Sequence, residues 1–171
     1  MLNKIMSMIK KPKPDELYMD MRNQAFRLNP KDIRITRFDG QNVWGVVTDF
    51  ELGGGYATMV SLASGTTNMY FSSGAGVLGA GDYSKVNQAA ATLIEMAERH
   101  ISQMELTTEF PLPAKGCVRF YLLTYSGIYT TEVPETIPYD EMTHPMYGLY
   151  AYSHNVIRQI RAIANWEAKP K

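Results

Sequence analysis

The chain has 171 residues, 45% hydrophobic and 20% charged, and its 17 basic and 17 acidic side chains cancel to a formal net charge of zero. That length suits one domain and can bury an ordinary core without disulfide support, while balanced charge excludes the basic footprint that nucleic-acid binding requires. No apolar run approaches the ~20 residues needed to span a bilayer, and the single Cys117 rules out an intramolecular disulfide and points to a reducing compartment, so the expected location is cytoplasmic.

The charge balance hides an asymmetry. Residues 1–14 carry Lys4, Lys10, Lys11 and Lys13 and no acid, which leaves the remaining chain with 13 basic against 17 acidic groups, a net of −4. Leu2, Ile5, Met6 and Ile9 lie at helical spacing ahead of Lys10-Lys11-Pro12-Lys13-Pro14. The segment reads as a basic N-terminal arm, distinct from a single α+β domain at 15–171. Its short apolar stretch lacks the cleavage site of a secretory signal and offers at most a peripheral foot for an anionic surface.

Pro14 and Asp15 open a helix predicted through Leu28, with Leu17, Met21, Ala25 and Leu28 on one face; Asn29-Pro30 ends it. Residues 30–42 read as a loop with a short extended piece near Ile33–Phe38. Val43–Phe50 is rich in β-branched and aromatic residues and stops at Gly53-Gly54-Gly55, the pattern of a strand and turn. Tyr56–Ala63 and Thr66–Ser72 follow as two more strands, and the Ser64-Gly65 connection makes them an antiparallel hairpin.

Asp82 to Met104 carries the strongest helical pattern, with Val86, Ala89, Ala90, Leu93, Ala97, Ile101 and Met104 in one stripe and Asp82 as the expected N-cap. Glu95 and Glu98 fall on its polar side, and His100 near the stripe's edge. Residues 105–116 form a Pro-punctuated crossing segment. Cys117–Tyr125 and Ile128–Val133 pair across Ser126-Gly127, and a last helix runs from about Met146 to Trp166, burying Leu149, Val156, Ile157, Ile160 and Ile163. The order is α-βββ-α-ββ-α. Tight hairpins demand an antiparallel sheet, so the fold class is α+β, with about five strands and helices on one face.

This element order resembles that of the class I type III secretion chaperones, small dimeric α+β proteins that wrap an unfolded segment of a partner. The resemblance is carried by the order of elements over most of the chain, not by signature residues; the basic arm and the Gly-rich loop depart from it. It implies a homodimer that holds a partner polypeptide. Profilin-like and roadblock-like sheets also place helices on an antiparallel sheet.

Two stretches are candidates for a site. Met69–Asp82 contains Gly74-Ala75-Gly76-Val77-Leu78-Gly79, a formal match to the dinucleotide pattern G-x-G-x-x-G. That pattern needs a helix opening within it and a parallel strand ending in an acid ~20 residues on; here the preceding strand belongs to a hairpin, Asp82 follows the motif, and Leu106–Pro113 is not such a strand. A softer reading keeps Ser72, Ser73, Gly74, Gly76, Gly79 and Asp82 as a ligand site in which backbone N–H groups hold an anion, with Asp82 opposing it and turn geometry as the plainer use of the glycines. The second candidate is a tyrosine-bearing sheet face with one guanidinium, Tyr70, Arg119, Tyr121, Tyr125 and Tyr129, a mixture enriched at interfaces.

His100, His144 and His154 show no metal-ligand spacing, and Cys117 lacks a local base or helix N-terminus to activate it and reads as a buried small hydrophobe. No cofactor or metal is expected, and the residues favour a non-enzymatic protein-interaction module, chaperone-like or adaptor, over the alternative of a small-molecule or anion binder or enzyme at loop 72–82.

Overall fold

The structure, a computed structural model, describes residues 13–35, 39–136 and 144–167, with side chains through 164. The basic arm therefore lies almost wholly outside the described residues, as does the end of the extended piece expected near Ile33–Phe38. The elements in chain order are α1 (Glu16–Ala25), β1 (Val43–Glu51), β2 (Tyr56–Leu62), β3 (Thr67–Phe71), β4 (Gly76–Val77), α2 (Ser84–Ala97), β5 (Glu105–Thr107), β6 (Cys117–Thr124), β7 (Gly127–Pro134) and α3 (Tyr147–Glu167). Single 3-10 segments at Ala80–Asp82 and Glu98–Gln103 flank α2. No helix among the described residues is long and apolar enough to cross a membrane.

The class is α+β with an antiparallel sheet, but the sheet has seven strands rather than five, in the order β4-β3-β2-β1-β6-β7-β5. The two additions are short edge strands. β4 pairs Met69 with Val77 and Tyr70 with Gly76, and β5, inside the supposed crossing segment, pairs Glu105–Thr107 with β7. Both hairpins form as expected, with Gly65 at φ 94° and Gly127 at φ 133°, conformations that a residue without Cβ adopts freely.

Helices do not gather on one face; both faces are covered. On one, α2 and α3 bury Val86, Leu93, Leu149, Val156 and Ile160 against Val46, Phe50, Met59, Phe120 and Leu122. On the other, α1 and residues 105–116 cover Trp44, Val47, Val60, Tyr121 and Leu123. Central strand β1 is consequently buried along its whole length. A strand packed on both sides carries apolar residues continuously rather than alternately, as V-W-G-V-V does.

Several boundaries and faces shift for local reasons. The buried face of α1 is Tyr18, Arg22 and Ala25, and Leu17 is exposed, because the polar groups at Tyr18 and Arg22 have partners on the sheet. Asp15 caps α1 by accepting from the Leu17 N–H at 2.8 Å. Asp82 is not the N-cap of α2: it ends a 3-10 turn, and the extended residue Tyr83 precedes the helix without a side-chain cap. Glu98 is not a solvated charge either. Its carboxylate accepts from the backbone N–H groups of Asn42 at 2.9 Å and Val43 at 2.8 Å, which ties the end of α2 to the start of β1. His100 is buried at the foot of α2, not partly open, and burial lowers its pKa.

Candidate functional site

The Gly-rich stretch is a path of backbone turns. Gly74 takes φ 89° in the turn after β3 and Gly79 takes φ 70° before the 3-10 segment, and Gly79 N–H donates to Asn68 Oδ1 at 2.8 Å. A Cβ on Gly76 would stand 2.9 Å from the Met69 carbonyl oxygen. The tightest approach belongs to a glycine outside the motif: a Cβ on Gly81 would fall 2.0 Å from the Gly65 carbonyl oxygen. The loop is thereby pressed onto the β2–β3 turn.

The hydroxyl and amide donors expected for a ligand are partly spent within the fold. Ser72 Oγ accepts from the Tyr56 N–H at 2.8 Å, and the Ser72 carbonyl accepts from the Asp15 N–H at 2.9 Å. A Cβ at Gly74 would meet the Asp15 carboxylate at 3.2 Å, so a fixed negative charge sits against this loop. Ser73 and Asp82 are exposed.

The tyrosine-bearing residues do not form one open surface. Tyr70, Arg119 and Tyr121 share the face under α1, whereas Tyr129 packs against the α2–α3 face and Tyr125 lies beyond the end of β6 beside the α1 face. Tyr121 is fully buried and donates its hydroxyl to the Pro111 carbonyl at 2.5 Å; burial pushes its pKa up to about 12. Arg119 pairs with Glu132 at 2.9 Å, which also accepts from the Ala114 N–H. The guanidinium therefore braces the crossing segment.

Beneath that cover lies a polar cluster that joins residues far apart in the sequence. Arg22 and Asp49, 1% and 0% exposed, are joined by two bonds to Asp49 Oδ2, from Nη2 at 2.6 Å and Nε at 3.0 Å. Thr58 Oγ1 donates to Asp49 Oδ1 at 2.6 Å, and Tyr18 bonds Thr58 at 2.8 Å. Arg22 Nη2 also reaches the Phe110 and Pro111 carbonyls, and its guanidinium carbon lies 5.1 Å from the centre of Phe26, itself stacked on Phe110 at 4.2 Å. Burial raises the Asp49 pKa against the opposing pull of Arg22, while burial works to lower that of Arg22 but the Asp49 charge and hydrogen bond, with Tyr121 and Tyr18, raise it overall. Buried charges must be paired and hydrogen-bonded to be tolerated, and here each is. The cluster fastens α1 and residues 110–111 to the sheet.

Elsewhere the polar groups are dispersed. Cys117 is half-buried rather than buried, and burial, followed by the Glu132 charge, pushes its thiol up, away from the thiolate a nucleophile needs. Glu135 Oε1 and His154 Nε2 stand 3.7 Å apart, with the Glu135 pKa raised and that of His154 lowered, both mainly by burial. Among the described residues there is no group of three or more His, Cys, Asp or Glu able to hold a metal.

Large apolar side chains face solvent at separate places: Leu17 on α1, Leu52 after β1, Leu78 after β4, Tyr83 ahead of α2 and Leu106 in β5. Leu78 is 63% exposed and Tyr83 44%. Tyr83 also lines a mostly apolar groove of about 450 Å3 between the first turn of α2 and the far end of α3, with Lys85, Gln159, Ala162 and Ile163.

Fold and surface together define an antiparallel α+β domain, layered on both faces. No family model, curated protein or solved structure matches the chain.

Proposed function

We propose that this chain is a non-enzymatic interaction module that works as a homodimer and holds a partner polypeptide. The observation that carries the reading is the mostly apolar groove between α2 and α3, edged by the half-exposed Tyr83 and ending at Ile163, with Leu78 exposed five residues before Tyr83. Single exposed hydrophobes are ordinary, but an apolar groove with an exposed aromatic on its edge suits a contact surface. A two-fold seam uses the same patch on both subunits, so one such groove suffices to build it. The resemblance in element order to dimeric secretion chaperones supports the same assembly by analogy.

Sedimentation velocity on the full chain tests it. The expected species has twice the 19.3 kDa mass of one chain, and Leu78→Glu with Tyr83→Glu shifts it to one mass with the far-UV spectrum of the fold retained, the unfolding midpoint falling only by what association contributed. A wild-type chain that sediments at one mass at every concentration would falsify the dimer.

A further inference from the structure

We propose a second site on the opposite layer of the molecule: the groove where α1 ends over the start of β1 binds a small molecule that carries a carboxylate on a flat apolar body. The groove encloses about 460 Å3 and is lined by Phe26, Arg27, Lys31, Trp44, Tyr125 and Ile128, among others. Its volume lies within the range of small-ligand pockets, which combine apolar walls with a few placed polar groups.

Three features set the ligand's chemistry. Trp44 is 5% exposed, and its indole N–H, buried from solvent, has no acceptor. A buried donor without a partner is rare in a folded protein and calls for an acceptor from outside the chain. The described lining contains two cations, Arg27 and Lys31, both exposed, and no carboxylate. An anionic oxygen in the groove serves the cations, and it becomes the acceptor of the indole N–H when the side chains that close over Trp44 part to admit it. Apart from Asn29 and Thr124 the remaining walls are aromatic and aliphatic, which suits a flat hydrocarbon frame better than a hydrated dianion such as phosphate.

The walls are also held in advance. Phe26 is stacked on Phe110 and meets Tyr121 edge-on at a centroid distance of 4.9 Å. Tyr125 is fixed through its backbone N–H, which donates to both the carbonyl and the side-chain oxygen of Asn42. A groove whose walls are already ordered loses little side-chain freedom when it fills.

The chain holds two tryptophans, Trp44 and Trp166, so the 15N-labelled protein gives two indole N–H resonances, assigned with Trp44→Phe. Titration with 1-naphthoate should shift the Trp44 resonance saturably, while uncharged 1-naphthamide should bind at least about tenfold more weakly. Arg27→Ala with Lys31→Ala, at exposed positions that leave the fold intact, should weaken 1-naphthoate by a similar factor. Trp44→Phe keeps one aromatic ring of the two and removes the donor, and should weaken it again, followed through the Ile128 methyl resonances. Absence of a saturable shift up to the solubility of 1-naphthoate overturns the proposal. So does equal binding of the amide, or unchanged affinity in the Arg27 and Lys31 variant.

Discussion

Removing Arg22 should unfold the molecule at markedly lower denaturant, because it strands Asp49. In the intact fold the Asp49 carboxylate is fully buried and receives three hydrogen bonds, two from Arg22 and one from Thr58. Arg22→Met keeps much of the buried stem and deletes the charge, leaving Asp49 with Thr58 alone. Breaking one side of a buried ion pair costs about 3–5 kcal/mol, and the same change frees the Phe110 carbonyl that Arg22 Nη2 bonds, while Tyr121 still donates to that of Pro111. For a chain of this size 1 kcal/mol moves the melting temperature by about 2–4 °C, so the expected fall is about 6–20 °C. Replacing both partners, Arg22→Met with Asp49→Leu, removes the stranded charge and should recover most of that loss, since apolar substitutes for a buried pair are often neutral or better. The assay is urea unfolding of the four corners of the cycle, with amide exchange at residues 108–114 as the local readout. A loss under about 1 kcal/mol for Arg22→Met, or a double variant no better than the single, would show that the pair does not fasten α1 to the sheet.

Other expectations follow from single contacts. Gly81→Ala should destabilise by several kcal/mol, since its Cβ would enter the Gly65 carbonyl, whereas Gly54→Ala, with open space around it, should stay within about 0.5 kcal/mol; equal unfolding midpoints for the two would refute the close approach. Glu98→Ala should cost about 1–3 kcal/mol by leaving the Asn42 and Val43 N–H groups without their acceptor, measured as a shift in urea midpoint and as faster exchange at those two amides. Stability should fall with acidification below the ordinary histidine pKa near 6.5. The folded-state values of His100 and His154 are both lowered, so the unfolded chain binds more protons in that window. Glu135, with its raised pKa, acts in the opposite sense between 4.5 and its folded value. Urea midpoints at several pH values should therefore slope less in a His100→Gln, His154→Gln variant than in the wild type.

What the sequence made legible was local, and what it hid depends on contacts between distant segments. The hairpins and α2 could be read because a two-residue turn and a 3.6-residue stripe are short-range facts. The double cover of the sheet also left a trace in β1. V-W-G-V-V does not alternate, and continuous apolar character is what a strand buried on both faces requires. That trace was outweighed by the hairpins, since antiparallel sheets so often leave one face wet. Asp49, two residues after this run, was the other trace, because a charge inside a buried strand demands a partner.

That partner, Arg22, is 27 residues earlier on a helix whose apolar residues suggested a different face. Periodicity assigns Leu17 inward because it weighs hydrophobicity alone, and it cannot know that Arg22 is neutralised across the interface. Once the pair is in place the helix is rotated, Leu17 turns outward, and Tyr18 reaches Thr58. The same rotation places the end of α1 over Trp44. The groove with the unpartnered indole thus depends on how the buried charge orients its helix, and a variant that loosens Arg22 from Asp49 should disturb 1-naphthoate binding even though neither residue lines that groove.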